Sequence, residues 1–420
     1  MGAGPAVAVL LYKDSSIYCA DALNTVRMWA ERGYRADLLA FDNGLYALPE
    51  FSSDRARVVA VRTLYGRLLP LVRKLRGGGR RHGAAGASAG GAARPPLGRR
   101  AFALGVAAMR SLQKLEFYLS HTFRLLRRRY SLAIACDLPS LLVARTARAL
   151  RGTPYLYHSR ELALSWDERS AGARIAKILE RRCHRSALLT IAQDERRAEL
   201  LARDNRVPRD SFLLVPNAPI GTWAGGTAVA GAGFSTPAGK PVVLYAGGVT
   251  PETMVLEIVQ SMAAWPAEAV LVIHGAGGED YMQALRAAAA PHAGRVVFST
   301  APLPVEEVDR VYALADVGLA FYRPINDNFR FVGCASGKIF NLMKVGVPVV
   351  ANDLPGMRAL LDETGCGRVV ADPAGIGDAI ADLLGRRELC RARCAATFPR
   401  YEFARTSRDV ISRTEAALRR

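Results

Sequence analysis

The chain has 420 residues, half of them hydrophobic, and carries 57 Lys and Arg against 38 Asp and Glu, for a formal net charge of +19. That length allows two ordinary domains with sizeable cores, and the apolar share excludes a largely disordered chain. The seven cysteines are odd in number and scattered, which fits a reducing compartment better than a disulfide framework, and no run of about 18 uncharged apolar residues marks a membrane-spanning helix.

Met1 leads almost directly into an apolar run, with no charged region before it and no small-residue cleavage site after it, so a cytoplasmic protein without a secretory signal is expected. Val7–Tyr12 reads as a strand, Ser16–Arg32 as a helix ended by Gly33, and Asp37–Phe41 and Val58–Val61 as strands. Residues 76–100 are nearly all Gly, Ala and Arg, with Pro95 and Pro96; such a segment cannot bury a face and reads as a mobile basic loop. Ala101–Tyr130 then reads as a long amphipathic helix. Phe102, Leu104, Met109, Leu112, Leu115, Phe117 and Phe123 are apolar along it, and Arg110, Lys114, Arg124 and Arg127–Arg129 are basic. Two readings stay open for it: a surface docking on anionic lipid headgroups, or a core-packed helix with a charged outer face.

Strands follow at Leu132–Cys136, Tyr155–His158, Leu188–Ile191 and Phe212–Val215, with helical segments between them. Gly221–Lys240 is small-residue text and reads as an interdomain linker. Beyond it the alternation restarts, with strands at Val242–Tyr245, Val270–Ile273, Val296–Phe298, Val317–Phe321, Val347–Val350 and Arg368–Val370. Helices are expected at Met254–Ala264, Tyr281–Ala289, Val305–Ala313, Lys338–Lys344 and Ile376–Leu384. Short Val/Ile/Leu runs alternating with helices specify an α/β fold with buried parallel strands. The predicted architecture is therefore two Rossmann-like doubly wound domains, 1–220 and 241–400, facing a central cleft, with 401–420 packing back on the first.

Charge divides the same way. Residues 221–420 hold 20 basic and 20 acidic residues, so the whole +19 lies in residues 1–220. A field of one sign gathers anionic partners, here an anionic membrane surface or a lipid-diphosphate acceptor, with a solvated Arg-rich surface as the competing reading. Nucleic acid is not expected, because the aromatic interleaving of a single-strand platform is missing.

The sharpest motif is Gly333-Cys334-Ala335-Ser336-Gly337-Lys338-Ile339, which opens a short helix ahead of the strand text Gly346-Val347-Pro348-Val349-Val350. A helix start offers free N–H groups and the positive dipole end to a diphosphate, with Gly337 allowing close approach and Lys338 adding charge. It is not a Walker A loop, since only three residues separate Gly333 from Gly337 and Ile339 replaces the metal-binding Ser or Thr. A Ser N-cap followed by a surface lysine is the competing structural reading. Gly247-Gly248 and Gly275-Ala276-Gly277-Gly278 each follow a predicted strand and converge on the same domain.

Leu244-Tyr245-Ala246-Gly247-Gly248, Ser336-Gly337-Lys338 and Gly346-Val347-Pro348-Val349-Val350, in that order, resemble the donor domain of retaining GT-B glycosyltransferases of the family 4 type. Tyr157-His158-Ser159-Arg160-Glu161-Leu162 and Val215-Pro216-Asn217 resemble text that the family carries before its linker. The resemblance implies a hexosyltransferase-type enzyme taking a sugar from a nucleotide sugar without metal or other cofactor, and passing it to a lipid-linked or surface-polysaccharide precursor. It implies donor contacts from Gly247, Gly248, Gly333, Ser336, Gly337, Lys338 and Asn341. Where the family often has two glutamates eight positions apart, this chain has Gly333 and Asn341, and Thr250-Pro251-Glu252-Thr253 lacks the usual basic residue. Those departures leave a non-catalytic binding subunit, or a nucleotide-sugar epimerase on the same fold, as alternatives.

On the acceptor side, Asp137 and Glu161 each follow a strand and are the catalytic candidates, as carboxylates that could orient or deprotonate a hydroxyl. For Asp137 an N-cap of the next helix competes, and for Glu161 a pairing with one of the many arginines. His158 reads as a satisfied core histidine.

Overall fold

A computed structural model describes residues 4–12, 19–42, 48–62, 97–167, 170–223, 225, 239–300 and 307–419. The expected basic loop up to residue 96, most of the linker, and the side chains of Phe102, Leu104, Met109 and Arg110 lie outside the described residues. In chain order the first sheet and its helices are β1 (Ala6–Leu11), α1 (Ala20–Glu31), β2 (Arg35–Asp42), β3 (Ala56–Arg62), α2 (Leu97–Arg127), β4 (Leu132–Ala135), α3 (Leu138–Arg151), β5 (Tyr155–His158), α4 (Ala171–His184), β6 (Thr190–Ala192), α5 (Glu195–Asn205) and β7 (Phe212–Leu214). They build a seven-stranded sheet in the order β3-β2-β1-β4-β5-β6-β7. β1 pairs in parallel with both β2 and β4, so the winding reverses there, and every residue of β1 is buried.

The second sheet follows with β8 (Val242–Ala246), α6 (Val255–Ser261), β9 (Val270–His274), α7 (Glu279–Ala289), β10 (Val296–Ser299), α8 (Val308–Ala313), β11 (Val317–Ala320), α9 (Asp327–Arg330), α10 (Gly337–Lys344), β12 (Val349–Asn352), α11 (Met357–Leu361), β13 (Gly367–Val370), α12 (Ile376–Gly385), α13 (Arg387–Thr397) and α14 (Phe403–Leu418). Its order, β10-β9-β8-β11-β12-β13, is again doubly wound, and its registered pairs are parallel. One face packs Leu244, Val272, Phe340, Leu342 and Met343; the other packs Val243, Ile258, Leu271, Leu285 and Ile380. The α/β class with two Rossmann-like sheets is thus as the sequence predicts. Val347–Val350 shifts to Val349–Asn352 because Gly346 takes a positive φ of 79° and Val347 and Pro348 complete that turn.

By internal contacts the chain separates into one compact unit of Met1–His158 with Leu179–Leu188, and a second of Ser159–Ile178 with Leu189–Arg420. Strands β6 and β7 therefore count with the second unit. In that unit α14 packs on β7, and Arg413 donates to the Asp210 carbonyl at 3.3 Å. Among the described residues no helix is long and apolar enough to cross a membrane.

In the first unit, α2 ends at Arg127, so Tyr130 lies beyond the helix predicted to include it. The inner face of α2 buries Phe117, whose ring meets Phe41 at 5.0 Å and Tyr12 at 5.3 Å and stacks on His121 at 4.1 Å. Burial pushes the His121 imidazole down to about 4, so it stays neutral among these rings. Tyr130 turns inward and donates to Asp37 Oδ2 at 2.6 Å. Arg57 adds two bonds to the same fully buried carboxylate, at 2.7 and 3.1 Å. Burial disfavours the Asp37 anion, but the bonds from Arg57 and Tyr130 and the charges of Arg57 and Arg35 outweigh it, holding the group below the usual 3.8.

A carboxylate held below its ordinary value stabilises the fold above that value, and its contribution disappears as pH falls through the lowered one. Asp37→Asn should therefore cost about 2 kcal/mol near neutral pH. The gap to wild type should close in denaturant melts run below pH 3.8, the group's usual value.

Candidate active site

Ligands of doubly wound sheets meet the carboxyl ends of the strands, and in the second sheet those ends are locked side by side. The register pairs Ala246 with His274, and beyond it Gly247 N–H donates to the His274 carbonyl at 2.9 Å and Val249 N–H to Ala276 at 3.0 Å. The Gly247-Gly248 and Gly275–Gly278 loops thus run as an extension of the sheet. Gly275 sits at φ 150°, and a Cβ there would lie 1.9 Å from the Gly247 carbonyl oxygen. The second glycine loop answers to the first loop's backbone, a close approach that sequence spacing does not display.

Above this edge stands Lys338, in the first turn of α10. Its ammonium lies 4.0 Å from the Tyr245 ring centroid and 5.0 Å from that of Tyr322. The Gly247 backbone passes beside it, so that a Cβ at Gly247 would be 3.5 Å from Nζ. Among the described residues Lys338 forms no salt bridge with a carboxylate, unlike Lys344 on the same helix, which pairs with Asp309 at 2.6 Å. Burial lowers the Lys338 pKa from 10.5, and the neighbouring Tyr322 works against that shift. Tyr245 and Tyr322 are both raised by burial, so the rings under the ammonium stay neutral phenols. The cation faces the negative faces of two rings while its charge stays available to an anion.

The surroundings fix this lysine. The Tyr322 hydroxyl hydrogen-bonds the Ser336 hydroxyl, and the Tyr322 backbone is clasped by Asn352, which accepts its N–H at 3.0 Å and donates to its carbonyl at 2.8 Å. Ser336 occupies the N-cap position of α10 but makes no side-chain cap bond, its hydroxyl being turned to Tyr322. The N-cap reading of the serine therefore does not hold. Asn217, from the Val215-Pro216-Asn217 text, donates its N–H to Cys334 at 2.9 Å and its amide to Ala335 at 3.1 Å. It pins the loop from which Lys338 rises. Asn341 is half-buried on α10, close enough to the Tyr312 hydroxyl on α8 to oppose the rise that burial gives it.

Gly333 opens a single 3-10 turn and borders a cavity of about 440 Å³ lined by Asp194, Arg196, Arg330, Phe331, Cys334 and Pro355, among others. A Cβ at Gly333 would meet nothing within 4 Å, so the position has room for a side chain. Beneath the cavity Arg197 is fully buried. It donates to Gln193 Oε1 at 2.7 Å, Asn328 Oδ1 at 2.9 Å, and the carbonyls of Arg160 and Phe331 at 3.1 and 3.2 Å. Burial pushes it down to about 10, opposed by the charges of Asp194 and Glu161. Sequence reasoning passes over Arg197 because it sits among Arg196, Arg203 and Arg206 with no local mark of burial. Tyr245, Tyr322 and Asn352 are missed because nothing in a strand-end residue's neighbours in sequence shows which side chains it will meet across the sheet.

The acidic candidates separate. Asp137, in the first unit, N-caps α3: Oδ1 accepts from Ser140 N–H and Oδ2 from Tyr12 N–H, both at 2.9 Å. Glu161, in the second unit, is exposed and lends charge to Arg197. His158 is buried within 4.0 Å of Asp21.

Gly275→Ala should destabilise the second unit by more than about 2 kcal/mol, read as a lower denaturation midpoint, because strain at positive φ adds to a backbone clash. Gly333→Glu should leave the midpoint within about 0.5 kcal/mol, since its side chain enters open space.

Two family models match: a glycosyl transferase 4-like domain over residues 20–218 and glycosyl transferases group 1 over residues 240–386. No curated protein matches the chain. Among solved structures, Anabaena HepE in complex with UDP-glucose superposes with a TM-score of 0.64 at 14% identity, covering 98% of this chain and 99% of that one. Sucrose-phosphate synthase from Thermosynechococcus elongatus gives 0.67 at 16% identity, covering 98% and 100%. WaaG, a glycosyltransferase involved in lipopolysaccharide biosynthesis, gives 0.59 at 13% identity, covering 96% and 99%. With both halves matched in their proper order and the fold shared along nearly the whole length, the chain belongs to the GT-B glycosyltransferases of the family 4 type.

Proposed function

We propose that this glycosyltransferase takes a sugar from a nucleotide-sugar donor and transfers it, with retention, to a lipid-linked or surface-polysaccharide precursor on the inner face of a membrane. The observation that carries the donor half is Lys338, a cation poised over two rings with no salt bridge of its own among the described residues. The donor diphosphate would lie against Gly247, Gly248, Ser336, Gly337 and Lys338. As the bond from the sugar's anomeric carbon to the diphosphate breaks, charge grows on the departing oxygen, and Lys338 with the first-turn N–H groups of α10 stabilises it. That supply of positive charge is why no metal is proposed. The acceptor hydroxyl bonds the anomeric carbon on the face that the leaving group vacates, and its proton leaves to a base. Asn341 would reach the ribose, and the open space at Gly333 would receive part of the sugar.

On the acceptor side Glu161 is the better carboxylate, since Asp137 spends both oxygens on backbone N–H groups. The binding of UDP-glucose by HepE and the part played by WaaG in lipopolysaccharide biosynthesis support the donor class and the acceptor class in turn. The concentration of the entire +19 in residues 1–220 supports an anionic membrane surface as the place of reaction.

Thermal melts against a panel of nucleotide sugars, with and without EDTA, should show an EDTA-insensitive rise for one donor. No rise with any of them sinks the donor site. Lys338→Ala should abolish that rise and lower kcat/KM by about 10²- to 10³-fold. Since burial places the Lys338 pKa below 10.5, donor affinity should fall as pH rises through it, and Lys338→Arg should move that limb upward. The anomeric configuration of the product, read by NMR, tests retention, and an inverted product rules it out.

A further inference from the structure

The outer face of α2 carries Leu112, Leu115, Leu119 and Phe123, exposed by 56%, 52%, 58% and 61%. Their spacing of three, four and four residues sets them in one stripe along about 16 Å of helix. The opposite face is committed: Phe117 and Leu125 are buried, and Phe117 is held by the rings of Tyr12 and Phe41. The helix therefore cannot roll to hide the stripe without emptying that core. A second apolar face on an already anchored helix is a surface for a partner.

Charge selects the partner. Arg127 and Arg129 are exposed at the end of the stripe, the Arg127 guanidinium lies 5.9 Å from the Phe123 ring, and Lys114 is exposed at its start. A second copy of this chain would bring the same sign of charge to the contact. Anionic headgroups complement it, and the acyl boundary just beneath them accepts leucine and phenylalanine. We infer that the Leu112–Leu115–Leu119–Phe123 face of α2 inserts at the headgroup–acyl boundary of an anionic bilayer, with the arginines in the headgroup layer. This deepens the membrane part of the proposed function and rests on it, but is independent of the donor chemistry.

Sedimentation with vesicles of phosphatidylcholine alone, and of phosphatidylcholine mixed with phosphatidylglycerol, tests it. Wild type should sediment with the mixed vesicles, and the double variant Leu119→Ser with Phe123→Ser should bind them at least about tenfold more weakly at an unchanged melting temperature. In Phe123→Trp, brominated acyl chains should quench the added emission. Unchanged binding of the double serine variant, absence of quenching, or a wild-type dimer that the double variant abolishes overturns the insertion. Wild-type binding indifferent to phosphatidylglycerol overturns the membrane reading itself, while a donor-dependent melting shift would leave the transferase chemistry standing.

Discussion

The ligand edge of the second sheet is arranged around one desolvated ammonium. Removing a lysine head from water without a carboxylate to meet it is costly. The chain offsets that cost with two ring faces, from Tyr245 on β8 and Tyr322 just past β11. Each ring then needs its own anchor. Tyr245 donates to the Gly248 carbonyl, and Tyr322 is held by Asn352 from the end of β12 and by Ser336. Three strand ends and the start of α10 thus converge on a single charge, and the parallel sheet is what delivers the strand ends to one edge.

The first unit treats a buried charge in the opposite way. Asp37 is met by Arg57 and Tyr130 and lies near Arg35 and Arg128, so its hydrogen-bonding capacity is taken up within the fold. Such a group holds β2, β3 and the approach to β4 together and has little left to offer a ligand. The contrast is a physical one: both charges are desolvated, but Asp37 is met by cations and donors within the fold, while Lys338 is met by ring faces and by no carboxylate among the described residues.

Much of the fold was legible in the residues. All thirteen strands among the described residues lie within two residues of the apolar runs that announce them, because a strand buried on both faces needs little else. The Ser-Gly-Lys text ahead of a helix singled out Lys338 as well, and the structure sets that residue over two rings. The aromatic cradle was not, since a tyrosine in a strand such as β8 looks like any β-former until its neighbours are known. The glycines at 275 and 277 announced a turn but not that their loop is zipped to the loop before it. Helix α2 fell between two readings because a helix with apolar residues on two sides has no single moment to interpret; Phe117 faces in and Phe123 faces out. Asp137 looked the same as a base or as a cap until both of its oxygens had partners.

Arg197 carries a consequence for anyone wishing to recombine this enzyme with a relative. Its guanidinium stitches residues 160 and 193 to residues 328 and 331, Asn217 stitches the end of β7 to the loop before α10, and Lys177 and Asp204 join at 2.8 Å within the same unit. The small-residue text at 221–240 invites a crossover there, yet a chimaera joined at that point would pair Arg197 and Asn217 with foreign counterparts and leave a buried guanidinium without its acceptors at 328 and 331. A seam just after His158 keeps all the acceptors of Arg197 on one side, but it parts Tyr155 and Tyr157 on β5 from Cys183 and Glu180, which belong to the first unit.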